Sequence, residues 1–142
     1  MNSTSALQSI EGTIALVGAG KMGGALLTGW LGGGLAPQRV VVIEPTPSAE
    51  LSALAAKGVA LNPKQTGTVE TLVIAVKPQS FRDMGAVLKP LVGASTLVVS
   101  IMAGMTIASL QEVCGGAVVR AMPNTPAAIG RGITVAVPAR NV

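Results

Sequence analysis

Residues 17–25 read VGAGKMGGA, with Gly18, Gly20 and Gly23 in the spacing G-x-G-x-x-G. The spacing has physical meaning only between a buried strand and a helix. There the first glycine permits a tight turn, the second lets a pyrophosphate approach the backbone, and the third lets helix and strand pack closely. The helix N-terminus adds free N–H groups and a positive dipole end. Both flanks fit. Thr13–Val17 (TIALV) is a short apolar run with the look of a buried strand. Lys21–Leu31 repeats Met22, Leu26, Leu27, Trp30 and Leu31 at helical spacing, and Gly32–Gly34 end it. A chain with 18 glycines also produces such matches by chance, so a glycine-rich packing turn stands as the alternative at this point.

Working outward, the pattern repeats. Arg39–Ile43 (RVVVI) reads as a second strand, Thr46 offers an N-cap with Pro47 at the first helical position, and a helix runs to Lys57. Val59–Leu61 is a short third strand, and Thr71–Val76 (TLVIAV) is a continuous β-branched one. Ser80 and Asp83 have capping-box spacing for a helix to about Lys89. Thr96–Ser100, a short helix capped by Thr106, Ala117–Met122 and Ile133–Val137 complete the chain. Continuous apolar strands alternating with helices imply a parallel sheet covered on both faces. The expected fold is α/β, a doubly wound parallel sheet of Rossmann type, built as βαβαβ twice. Residues 1–12 are expected to be a tail and 13–142 a single dinucleotide-binding domain.

Composition narrows the function classes. Apolar residues make up 49% and charged residues 11%, with one Trp and one Phe. So little charge suggests apolar surface that expects a partner. The uncharged run Pro90–Gln111 has the length of a spanning helix, but Pro90, Gly93 and Gly104 split it into a strand, a turn and a short helix. No membrane association is expected. The net charge of +4 comes from ten scattered basic residues without interleaved aromatics, which argues against nucleic acid. Cys114 is the only cysteine, which suits a reducing, cytoplasmic setting. No metal site is expected.

Glu44 ends the second strand 21 positions after Gly23, where an acid should meet a ribose. A carboxylate there accepts from both ribose hydroxyls of NAD and repels the 2′-phosphate of NADP, so NAD(H) is favoured over NADP(H). A solvated loop acid is the plainer alternative. Three further segments, Ala75–Pro78 (AVKP), Ser100–Gly104 (SIMAG) and Met122–Pro126 (MPNTP), follow strands at the edge where open α/β sheets bind ligands. Pro123 and Pro126 stiffen Asn124 and Thr125 into a turn. Arg120 lies within a strand and is expected to pair there with a buried acid or carbonyl.

VGAGKMGGA, AVKPQ, SIMAGMTIASL and RAMPNTPAAIGRG, in this order, resemble pyrroline-5-carboxylate reductase over about Thr13–Val137. The resemblance implies a homo-oligomeric NAD(P)H-dependent oxidoreductase of proline biosynthesis. Its substrate is the imine 1-pyrroline-5-carboxylate and its product L-proline. It implies that Val17, Gly18, Ala19, Gly20, Lys21, Met22 and Gly23 hold the pyrophosphate and Glu44 the adenosine ribose. Ala75, Val76, Lys77 and Pro78 would lie along the nicotinamide, with Ala103, Gly104, Asn124 and Thr125 closing that pocket. The family continues into a helical C-terminal domain that builds the dimer. This chain is therefore expected to be the cofactor-binding part, not competent alone. Glu44 departs from the many NADPH-accepting members. The chain has no His and no Tyr, which counts against a ketone reductase but not against reduction of an iminium that needs only hydride. No catalytic side chain is assigned. A non-catalytic nucleotide-binding or regulatory module and a 3-hydroxyacid-type dehydrogenase domain are the alternatives.

Overall fold

The structure, a computed structural model, describes residues 7–122, 135–140 and 142. The elements are β1 (Ile14–Val17), α1 (Lys21–Gly32), β2 (Val40–Ile43), α2 (Ala49–Ala56), β3 (Ala60–Leu61) and β4 (Val69–Ile74), followed by α3 (Gly85–Leu88), β5 (Val92–Ser100), α4 (Ile107–Cys114), β6 (Ala117–Met122) and β7 (Val135–Pro138). They form one sheet in the order β3-β2-β1-β4-β5-β6-β7. The first six strands are mutually parallel.

Strand alternation explains why the central strands are apolar without interruption. Ala15 and Val17 of β1, Leu72 and Ile74 of β4 and Val98 of β5 face one layer, where Phe81, Leu88, Leu110 and Cys114 cover them. Ile14 and Leu16, Val40 and Val42, and Val73 face the other, beneath Leu27 of α1 and Leu51 of α2. Both faces of the central sheet are covered, so all four residues of β1 and the Leu72–Ile74 end of β4 are core residues. Leu7 and Ile10, within the expected tail, also pack on the second layer, and Arg39 Nη1 donates to the carbonyl of Ile10.

Helix α1 stops where its glycines permit. Gly34 takes φ +104, which lets its N–H reach Leu31 O and the N–H of Leu35 reach Trp30 O at 3.0 Å. That is a Schellman end, with Leu35 buried behind it.

The structure corrects several expectations. β7 runs antiparallel to β6, pairing Arg120 with Val137, an arrangement that, unlike a parallel neighbour, needs no crossover connection. Ser48, not Thr46, caps α2, its Oγ accepting from Leu51 N at 3.1 Å. The capping box at Ser80 and Asp83 does not form. Pro78–Ser80, Arg82–Met84 and Lys89–Leu91 are 3-10 turns around the four-residue α3. Proline at two turn starts divides the segment, and burying Phe81 completely fixes its path. β5 is longer than expected and opens with an irregularity opposite Val69 and Thr71. Buried Thr96 holds it, accepting from Gly93 N at 2.8 Å and donating to Val69 O. The run Pro90–Gln111 is split between β5 and α4, and among the described residues no helix is long and apolar enough to cross a membrane.

Candidate dinucleotide site

β1 is the strand from which the winding diverges, with β2 on one side and β4 on the other. Successive connections therefore leave a crevice above its carboxyl end. The loop 18–20 fills the head of that crevice and is tied to both neighbours. Gly18 N donates to Ile43 O at 2.8 Å, and Ala75 N donates to Val17 O at 2.8 Å.

The three glycines do different jobs. Gly18 has φ +89, and a Cβ there would stand 2.7 Å from the carbonyl carbon and oxygen of Ala75. A Cβ on Gly23 would stand 2.4 Å from Gly18 O. These two residues let the loop, α1 and β4 close together. Gly20, the N-cap of α1, has φ −70 and nothing within 4 Å of the place its Cβ would take. The space over Gly20 is a cradle that any side chain would begin to fill. Such a cradle at a helix N-terminus suits a diphosphate.

Two clefts open from this loop. One, of about 280 Å³, is lined by Gly20, Lys21, Met22, Ala75, Val76, Lys77, Pro78, Ile101, Met102 and Ala103. The other, of about 470 Å³, lies between α1 and α2, with Ala19, Gly20, Lys21, Glu44, Thr46, Ser48 and Glu50 around its polar end. Gly20 and Lys21 line both, so the clefts meet at the N-terminus of α1. Glu44 is half-buried, and its Oε2 accepts from Ala19 N at 2.9 Å. The acid is thus part of the glycine loop rather than a solvated loop residue.

Most of the expected site residues come together here. Val17 is fully buried and supports the loop only through its backbone. Gly104, φ +73, is exposed beyond Ala103 and does not line the cleft. Asn124 and Thr125 lie outside the described residues. Arg120 is half-buried, and its Nε is buried with no hydrogen-bond partner among the described residues. Its neighbours across β5 and β7, Ser100 and Val137, offer no carboxylate. Among the described residues no three His, Cys, Asp or Glu side chains gather as a metal ligand set.

Sequence reasoning missed Asn62. It has φ +48, its Oδ1 accepts from Glu44 N at 2.8 Å and its Nδ2 donates to Glu44 O at 2.8 Å. The dipeptide Asn62-Pro63 marks a turn, but nothing in the sequence says that the turn folds back on β2. Asn62 also lines a third cavity of about 620 Å³, between residues 62–67 and the α3 segment.

A family profile described as NADP oxidoreductase, coenzyme F420-dependent, matches residues 13–104. The pyrroline-5-carboxylate reductase of Pisum sativum is 35% identical over 127 residues, 87% of this chain and 46% of its own length. That of Pasteurella multocida is 36% identical over 131 residues, 86% of this chain and 47% of its own. The chain spans about half the length of the curated relatives it matches. Among solved structures, a pyrroline-5-carboxylate reductase from Coxiella burnetii superposes with TM-score 0.75 at 25% identity, covering 92% of this chain and 51% of that one. The Plasmodium falciparum pyrroline carboxylate reductase with NADP bound gives 0.76 at 24% identity, 95% and 50% covered, a likeness of fold alone. With its parallel sheet, its glycine loop and that profile over residues 13–104, the chain belongs to the NADP oxidoreductase, coenzyme F420-dependent, family, and the curated relatives it resembles are pyrroline-5-carboxylate reductases.

Proposed function

We propose that this chain is the dinucleotide-binding part of a reductase that converts the cyclic imine 1-pyrroline-5-carboxylate to L-proline. The observation that carries the reading is the open cradle at Gly20, set between a cleft edged by Ala75–Pro78 and Ala103 and a second edged by Glu44. The substrate follows from the relatives' names. The loop at Gly20 would take the diphosphate, the smaller cleft the nicotinamide and Glu44 the adenosine ribose.

When bound, the reduced dinucleotide supplies the hydride that the imine carbon accepts. The chain's residues then have one task, placement. Met22, Val76, Pro78 and Met102 give the smaller cleft apolar walls, and Lys21 and Lys77 give it positive charge. Apolar walls exclude water from a transferring hydride, and the lysines attract the anionic parts of cofactor and substrate. A protonated imine is already electrophilic, so no acid side chain is needed at this face.

For the cofactor we infer a preference for NADH. Glu44 and Glu50 put two carboxylates at the polar end of the larger cleft against the one ammonium of Lys21. A 2′-phosphate adds about two negative charges there. Assembly into a homo-oligomer and a cytoplasmic location go with this reading, the first supported by the exposed Val87, Met122 and Val137.

The test is fluorescence titration of the purified chain with NADH and NADPH. Saturable binding of both, with NADH at least tenfold tighter, is expected. A preference for NADPH overturns the argument from Glu44, and absence of binding to either overturns the assignment of the cradle.

A further inference from the structure

The third strand is only two residues long, Val41 pairing with Ala60 and Val42 with Leu61. Backbone pairing stops there, yet the ladder continues by one rung through a side chain. Asn62 N donates to Val42 O at 2.8 Å, and its side-chain amide then meets the peptide groups of Glu44 in both directions. A carboxamide carries one acceptor and two donors in the plane of a peptide, so it replaces the missing strand residue group for group. The left-handed φ of +48 turns the backbone away toward Pro63 and leaves the side chain facing β2. Asparagine adopts that conformation more readily than most residues.

We propose that Asn62 is a positioning residue for cofactor selection. It fixes the backbone of Glu44, and Glu44 in turn holds the glycine loop through Ala19 N. The assignment rests on the proposed role of Glu44 at the ribose. Two properties of the site follow. The loop is held in one shape before any dinucleotide arrives, which lowers the ordering cost of binding. The carboxylate also stands at a set distance from the ribose subsite, so its discrimination against a 2′-phosphate depends on Asn62. Without the clamp, Glu44 can swing toward solvent and tolerate the phosphate.

Asn62→Gly keeps the backbone conformation and removes both side-chain bonds, and Asn62→Asp keeps the acceptor alone. The first readout is amide hydrogen exchange at Ala19 in the unliganded chain, with Leu72 as the core control. Asn62→Gly is expected to speed exchange at Ala19 about fivefold, the factor attached to one ordinary hydrogen bond, with Leu72 unchanged. An unchanged rate at Ala19 in both variants overturns the proposal, and this readout stands even if the chain binds no dinucleotide. The second readout is the ratio of NADPH to NADH dissociation constants. Asn62→Gly is expected to lower it about fivefold beside Glu44 and by less than twofold in a Glu44→Ala background. Equal shifts in both backgrounds mean that Asn62 does not act through Glu44. Failure of the unsubstituted chain to bind either cofactor removes the proposed function while leaving the exchange result to decide the clamp.

Discussion

Gly20→Ala separates binding from folding at the glycine loop. The added methyl meets nothing within 4 Å, and φ −70 lies in ordinary backbone territory. Alanine is a poorer N-cap than glycine, a cost of about 0.5–1 kcal/mol, and restricting the unfolded chain returns a similar 0.4–1 kcal/mol. Stability therefore stays within about 0.5 kcal/mol, a shift of roughly 2 °C in Tm for a domain of this size. Binding fares differently. A methyl in the cradle holds a diphosphate off the loop amides, and losing one or two charge-assisted hydrogen bonds costs about 2–3 kcal/mol, or roughly 30- to 150-fold in Kd. Gly18→Ala is the complementary control. Its methyl would lie 2.7 Å from the Ala75 carbonyl with φ +89, so about 2–4 kcal/mol of stability is lost whether or not ligand is present. Thermal melts and NADH titrations of both variants give the comparison. If Gly20→Ala binds NADH as the unsubstituted chain does, no diphosphate lies over Gly20 and the pose fails.

Three further substitutions probe the scaffold. Thr96→Val leaves Gly93 N and Val69 O without the hydroxyl that joins them, and urea unfolding should show a loss of about 2 kcal/mol. Arg120→Met removes a guanidinium whose Nε is buried without a partner among the described residues, so its melting temperature should match or exceed that of the unsubstituted chain; a clear fall would reveal a partner for Arg120. Burial pushes the Cys114 thiol from its ordinary 9.0 up to about 11. Between those values the unfolded chain has shed the thiol proton and the folded chain retains it. This contribution to stability is therefore complete below pH 9 and declines as pH rises toward 11. Denaturant midpoints across that range should fall less steeply for Cys114→Ala.

The site was legible in the sequence where one residue type has one physical use. Gly18 and Gly23 could be placed because a tight turn and a close helix contact each demand the absence of a side chain, and in the structure a Cβ at either would meet backbone at 2.7 or 2.4 Å. β1, β2 and β4 showed themselves as unbroken apolar runs because both faces of the sheet are covered. What escaped depended on partners far along the chain. The antiparallel direction of β7 shows in its pairing with β6, not in any residue within Val135–Pro138. Asn62 is a common turn residue until its amide meets Glu44, 18 positions earlier. The helix expected from Ser80 is reduced to Gly85–Leu88, flanked by 3-10 turns, where burial of Phe81 outweighed a local capping preference.

The seam between β1 and β4 also governs how the chain is made. Ile14 pairs with Thr71 and Val17 with Ile74, so a nascent chain must be extended through β4 before the far edge of β1 has a partner. Until then a strand whose four residues are all buried in the fold leaves the ribosome with that edge bare. Closing so long a loop is slow, and waiting strands of this kind are where aggregation starts. The crevice proposed for the cofactor is therefore shaped late in synthesis, by the same event that hides the sticky edge. A dinucleotide present at that moment would bind the newly closed seam and hold it shut.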